Sequence, residues 1–160
     1  MRLVLDTNVW LDLLLFEDPR CAPLRQAVDA AEVCILLRED CHAEWLRVLA
    51  YPALRMDPAR QSQLALQQRA LCEWVTGART AAGPALPRCR DRDDQKFIEL
   101  AWEGDADCLL SRDKALLELD RRCRRQGLFA IARPEALPRK GAINLAPENA
   151  SDGRPQINKS

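Results

Sequence analysis

The stretch Arg2-Leu3-Val4-Leu5-Asp6-Thr7-Asn8-Val9-Trp10 decides how the chain is read. Leu3 to Leu5 form a short, unbroken apolar run, the pattern of a strand covered on both faces inside a parallel sheet. The run stops at a carboxylate. Thr7 and Asn8 are helix-capping residue types, and Val9 to Phe16 is long enough to begin a helix. Asp6 therefore falls at the carboxyl end of a first strand, beside a helix N-terminus, where open α/β sheets gather their ligands. A helix cap alone would also account for it, so the weight of Asp6 depends on what other residues join it.

Working outward, residues 21–31 read as a second helix with Leu24, Ala27 and Val28 on one face. Val33-Cys34-Ile35-Leu36-Leu37 is a second buried-strand pattern. A helix over about 39–50 follows, with Trp45, Val48 and Leu49 on one stripe, and Pro52 ends it. Asp57-Pro58 opens a long packed helix in which Leu64, Ala65, Leu71, Cys72 and Val75 recur at helical spacing. Residues 77–88 form the longest loop, and Asp91-Arg92-Asp93-Asp94-Gln95-Lys96 leads into a helix through Phe97, Ile98, Leu100, Ala101 and Trp102. Cys108-Leu109-Leu110 is a short strand, and Ser111-Arg112-Asp113 follows it as Asp6 follows the first. One more helix reaches about Arg125, Gly127 ends it, and 128–132 make a last strand. The alternation predicts an α/β fold, a three-layer α/β/α sandwich on a central, mainly parallel sheet. The domain occupies 1–137; in 138–160 Gly, Asn, Pro, Ser and Lys take over, which predicts a flexible tail without chemistry.

A chain of 160 residues is one domain with room for a core, and its 48% hydrophobic share is that of a globular protein. Lys+Arg and Asp+Glu both number 24, so any nucleic-acid contact must come from a local patch. The seven cysteines form no C-x-x-C pair and His42 is the sole histidine, which argues against structural zinc and for reduced, buried thiols. Asp6 and Asp12 interrupt the opening apolar run, which is too short for a membrane span. The expectation is a cytoplasmic protein with no membrane partner.

Three further acids share the setting of Asp6. Glu44 lies at the edge of an apolar helical stripe, Asp94 opens a core-like helix, and Asp113 ends a buried strand. Each has a plain alternative: Glu44 paired with Arg47 on the surface, Asp94 favouring a helix dipole, Asp113 capping the next helix. Gathered at one end of a parallel sheet, the four would raise one another's pKa unless a cation neutralised them. Oxygen donors without Cys or His select a hard divalent ion, Mg²⁺ or Mn²⁺, suited to hydrolysing a phosphodiester. Arg88, Arg90, Arg92 and Lys96 surround the third acid, and Arg112 and Lys114 flank the fourth. Arg90, Lys96 and Lys114 are the candidate contacts for substrate phosphates. The run Arg121-Arg122-Cys123-Arg124-Arg125 reads as a solvated helix end, and the four tryptophans as core.

The ordered set Leu5-Asp6-Thr7-Asn8, then Glu44, then Cys89-Arg90-Asp91-Arg92-Asp93-Asp94-Gln95-Lys96-Phe97, then Leu110-Ser111-Arg112-Asp113-Lys114 resembles the PIN domain. More narrowly, it resembles a bacterial toxin-like branch with a C-R-D-P-D-D-D-K-F stretch, and Arg133-Pro134-Glu135-Ala136-Leu137 is similar to that branch's closing T-P-x-x-F-L. The resemblance implies a metal-dependent ribonuclease, often the toxin of a toxin–antitoxin pair, with Asp6, Glu44, Asp94 and Asp113 as catalytic and metal-holding acids. Asp94 is favoured over Asp93 because Phe97, three residues on, begins the buried face. Asn8 is expected to orient Asp6 or touch a phosphate, Thr7 and Ser111 to supply hydrogen bonds, and Arg112 to help position substrate. A small antitoxin and a second copy of the chain are the implied partners. The chain departs from the branch at Ala115, where a further acid is frequent, at Arg92, where a proline is frequent, and at Gln95 in place of an acid. Two other readings stay open. A haloacid-dehalogenase-like phosphatase also opens on a strand ending in Asp, although it wants a second Asp at the Asn8 position. A PIN-like module that binds RNA or protein without cleaving is the other.

Overall fold

An apolar triplet such as Leu3-Val4-Leu5 is stable only if both its faces are covered, and all three residues are 2% exposed or less. The computed structural model describes residues 1–76 and 83–138, so part of the predicted long loop and nearly all of the predicted tail lie outside the described residues. β1 (Arg2–Leu5) is followed by α1 (Thr7–Trp10), which widens into a π-helical turn, Leu11–Leu15. Next come α2 (Ala22–Asp29), β2 (Cys34–Leu37), α3 (Glu39–Leu49), α4 (Pro58–Leu71) and β3 (Cys72–Trp74). The remainder is α5 (Gln95–Glu103), β4 (Cys108–Leu110), α6 (Lys114–Leu117), α7 (Asp120–Arg125) and β5 (Ala130–Ala132).

The five strands form one sheet in the order β3-β2-β1-β4-β5, every pair parallel. Val4 pairs with Leu36 on one side and Leu109 on the other, and Leu109 pairs with Ile131. Those four side chains join one core, with Phe97, Ile98 and Leu100 of α5 and Leu116 of α6. Leu3, Leu5, Ile35, Cys108, Leu110 and Ala130 face the opposite core, with Val9, Leu24, Trp45, Leu49 and Leu64 of the first four helices. Period-two alternation along buried strands thus feeds two helical layers, and the three-layer α/β/α sandwich follows.

The chain goes out from β1 toward β3 on one side and returns through β4 to β5 on the other. The direction reverses between β1 and β4. That reversal leaves a crevice at the carboxyl ends of the two strands, the place where such sheets bind ligands.

The observed elements differ from the expectations in three places. The long helix stops at Leu71, and Cys72–Trp74 is an edge strand. Apolar residues at 64, 65, 71, 72 and 75 suit a helix by spacing, yet on α4 only Leu64 and Gln68 are buried. Glu73 instead pairs with Arg2 at 3.0 Å across the strand ends, and a three-residue strand is too short to show its own alternation. The helix expected after Asp113 is split into α6 and α7, and at the start of α7 the Asp120 carboxylate accepts the backbone N–H of Ile131 in β5 at 2.6 Å. Asp94 stands just before the first turn of α5, not within it. Gly127 ends α7 as expected, at φ +65°, a conformation that costs glycine no steric penalty.

Candidate active site

Asp6 leaves β1 with its backbone N–H bonded to the carbonyl of Leu110 in β4, 3.0 Å away, so the sheet continues up to this residue. Its carboxylate caps α1 by accepting the N–H of Val9 at 3.0 Å, and it accepts a second hydrogen bond from the hydroxyl of Ser111. The cap expected as the plain alternative is therefore real, and it fixes the carboxylate at the crevice. Asp6 is only 3% exposed. Burial raises its pKa, opposed by the Ser111 hydroxyl and the backbone N–H groups of Val9, Asn8 and Arg112.

Ser111 is fully buried and works in two directions. It donates to Asp6, and its oxygen accepts the N–H of Asp113 at 2.9 Å. Asp113 in turn caps α6, its carboxylate accepting from Ala115 at 2.6 Å and from Leu116 at 3.3 Å. Two acids on adjacent strand ends are thereby fixed through one hydroxyl.

Asp94 belongs to the same group. Its pKa is pushed up to about 6, first by partial burial and then by the negative charges of Asp91, Asp113 and Asp6, with Lys96 acting the other way. An acid that feels three neighbouring acids sits in a field that favours a bound cation. Asp93, the runner-up for this role, is exposed, and its N–H closes a turn on the Asp91 carboxylate at 2.9 Å.

Glu44 is placed differently. Thr7 donates to it at 2.5 Å, and Lys96 on α5 forms an ion pair with it at 2.5 Å, both side chains being largely buried. It does not pair with Arg47. Arg38 fastens α3 to α5 by reaching Glu103 at 2.5 Å and Glu99 at 3.3 Å, which holds Glu44 against Lys96. The sequence reading set Lys96 apart as a phosphate contact and missed this pairing, because residues 44 and 96 meet only when α3 and α5 pack side by side.

Arg112, expected to help position substrate, lines the cleft with its guanidinium engaged by neighbouring acids. Its guanidinium is taken by Asp12, on the π-helical turn, and by Glu135 at 2.9 Å, so it acts as a strut joining the segment after β4 to that turn and to Glu135. Asn8 is exposed and lines the same cleft as Arg112, Asp113 and Lys114. Lys114 lies at the mouth, 3.8 Å from Glu118. Arg90 is exposed, with Glu118 at 3.9 Å. His42 is buried, with Gln68 2.7 Å from its Nδ1 and Trp74 against its ring, so it is packed into the core rather than offered as a base. All seven cysteines are free, and burial pushes Cys72, Cys108 and Cys123 up to about 12, the behaviour of inert small hydrophobes. Trp10 and Trp45 are core, as expected, while Trp74 and Trp102 pack at its edge.

Among the described residues no three His, Cys, Asp or Glu side chains stand close enough together to cage a metal ion. A cage is not what Mg²⁺ requires, since it keeps several waters and takes one or two carboxylates together with substrate phosphates. The oxygen-only donors and the mutual repulsion at Asp94 suit such an ion, and one or two carboxylates among Asp6, Asp94 and Asp113 would serve it, whereas Glu44 is bound to a lysine.

Among the described residues no helix is long and apolar enough to cross a membrane. The chain has no match among the curated proteins compared with it. The family described as PIN domain, a nuclease-type fold, matches residues 2–115, a span that takes in Asp6, Glu44, Asp94 and Asp113. With that match over most of its length, and with a five-stranded parallel sheet carrying acids at its switch point, the chain belongs to the PIN-domain family.

Proposed function

We propose that this chain is an endoribonuclease that hydrolyses RNA phosphodiesters with Mg²⁺ or Mn²⁺. The observation that carries the reading is the link between Asp6 and Asp113 through Ser111 at the β1/β4 crevice, joined by Asp94, whose pKa is raised by the negative charges of Asp91, Asp113 and Asp6 and only partly offset by Lys96. Asp6 and Asp113 come from strand ends and Asp94 from a helix start, so their carboxylates are held by rigid elements rather than by a loop. Asp6, Asp94 and Asp113 are the residues that would hold a divalent ion, which would make an attacking water more acidic and offset charge on the phosphate.

The protein's own residues do the rest. Ser111 keeps the Asp6 carboxylate and the Asp113 backbone in fixed relation. Lys96, held by Glu44, places an ammonium beside the acids, where it attracts a substrate phosphate. Thr7 fixes Glu44, and Glu44 fixes Lys96. Asn8 and Lys114, at the cleft mouth, are the phosphate contacts nearest Asp113. Arg90 lies farther along the same surface.

The resemblance to a toxin-bearing branch extends the proposal to a toxin–antitoxin role in the cytoplasm. A small antitoxin would close the crevice by setting an arginine among the carboxylates. Growth arrest on expression, relieved by Asp6→Asn, is the expected sign of that role.

The test of the catalytic reading is cleavage of a labelled single-stranded RNA in Mg²⁺, in Mn²⁺ and in excess EDTA, alongside hydrolysis of a small phosphate ester. RNA cleavage that needs the metal supports the proposal. Ester hydrolysis without RNA cleavage would favour the phosphatase, and RNA binding without cleavage the non-catalytic module.

A further inference from the structure

Gln95 opens α5, and its side chain turns back on the loop before it. Its amide oxygen accepts the backbone N–H of Cys89 at 2.7 Å, and its amide nitrogen donates to the carbonyl of Pro87 at 3.2 Å. The two bonds bracket Arg88. A primary amide can do both at once, whereas an ionised carboxylate in its place would accept but not donate. Pro87 and Cys89 are buried while Arg88, Arg90 and Arg92 are exposed, so the bracket turns alternate residues outward as cations.

Those cations border open clefts on two sides of the loop. A cleft of about 870 Å³ is lined by Arg88, Arg90, Arg92 and Lys96, with Asp93 and Glu99 as its acids. Glu99 is already engaged by Arg38 at 3.3 Å. A second cleft of about 450 Å³ is lined by Arg90, Arg92, Asp113 and Lys114. It shares Asp113 and Lys114 with a third, of about 330 Å³, beside Asn8. The clefts share lining residues in sequence, Arg90 and Arg92 between the first two and Asp113 and Lys114 between the last two. Among the described residues Arg88 and Arg92 make no ion pair, and Arg90 has only the exposed Glu118 at 3.9 Å. An exposed pair of that kind is worth little and gives way to a phosphate.

We propose that Arg88, Arg90 and Arg92 form an entry rail for the sugar–phosphate backbone of single-stranded RNA, and that Gln95 is the positioning residue that sets this rail. The inference rests on the RNA-cleaving reading above and names how its substrate arrives. A single strand is the form chosen, because Asp6 is recessed at 3% exposure and an unpaired strand bends toward a recessed group more readily than a duplex does.

The experiment is equilibrium binding of a labelled 12-nucleotide single-stranded RNA to the full chain carrying Asp6→Asn, in Mg²⁺, over a salt series. Each phosphate contact on a single strand contributes about 0.7 to the slope of log K against log salt. Arg88→Ala, Arg90→Ala and Arg92→Ala are each expected to lower that slope by about 0.7. Arg121→Ala, on α7 and outside the three clefts, leaves it unchanged. Gln95→Met, which loses both bonds without adding charge, and Gln95→Glu, which loses the donor, are both expected to weaken binding about fivefold, the worth of a hydrogen bond, and to lower the slope. Unchanged slopes in all three arginine variants, or an equal fall in Arg121→Ala, overturn the rail. An unchanged Gln95→Met overturns its positioning role. RNA cleavage by the unsubstituted chain alongside those negative results would leave the nuclease reading standing, whereas no RNA binding at all would remove both.

Discussion

The hydroxyl of Ser111 donates to the Asp6 carboxylate and accepts the backbone N–H of Asp113 at 2.9 Å, so one fully buried oxygen spans the two central strands. Removing it leaves a buried carboxylate and a part-buried N–H each short of a partner. Ser111→Ala is expected to lower stability by about 1–3 kcal/mol in urea unfolding and to cut RNA cleavage by about 10–100-fold, the usual loss for a partner behind a metal-holding group. Unchanged stability and rate would show that the bridge does not organise the site.

Asp94 makes the pH dependence specific. Its folded pKa of about 6 lies above the ordinary aspartate value of 3.8. Between those values the folded chain binds the extra proton, so the contribution of this group to stability is present below about pH 4 and is lost as pH rises through about 6. Asp6, also raised, acts in the same direction. Without divalent metal, Asp94→Asn should therefore melt higher than the unsubstituted chain at pH 7.5 and equally at pH 4. Added Mg²⁺ should raise the melting temperature of the unsubstituted chain at pH 7.5 more than at pH 5. A variant that melts lower at pH 7.5 would contradict the coupling.

Glu44 and Lys96 form a pair whose side chains are 19% and 16% exposed, so neither is easily compensated by water. Glu44→Gln and Lys96→Met should each destabilise by about 1–2 kcal/mol, and the double substitution should cost less than their sum by about 1 kcal/mol. Strict additivity in thermal unfolding would mean that the ion pair is not formed in solution.

Arg112 is a strut between Asp12 and Glu135. Arg112→Ala should lower stability by about 1–3 kcal/mol, and Arg112→Lys should recover little, since an ammonium cannot reproduce the planar fork. The salt slope of RNA binding should not move in either variant. A slope lower by about 0.7 would make Arg112 a phosphate contact.

Much of this architecture is legible in the sequence because the deciding residues are local. Leu3-Val4-Leu5-Asp6 and Cys108-Leu109-Leu110-Ser111 each carry strand, strand end and site residue within four positions. Cys72-Glu73-Trp74 does not, since its strand depends on Arg2 and on a parallel neighbour far along the chain. The same divide runs through the site. Asp6, Asp94 and Asp113 announce themselves by their place at element ends, while the Glu44–Lys96 pair and the Asp12–Arg112 contact come into being only when distant helices and strands pack. Gln95 is the sharpest case: its residue type departs from the pattern the chain resembles, and only the loop shows what the amide does.

The central claim is that the acids at the β1/β4 crevice hold a divalent ion for RNA hydrolysis, and the most direct test compares the unsubstituted chain with Asp6→Asn and Asp94→Asn. Each variant is to be shown folded by circular dichroism and then assayed on single-stranded RNA across a Mg²⁺ titration. The account predicts metal-dependent cleavage by the unsubstituted chain and a loss on the order of a hundredfold or more in each folded variant, beyond that of an outer partner. Cleavage that persists in either folded variant, or that is indifferent to EDTA in the unsubstituted chain, would contradict it.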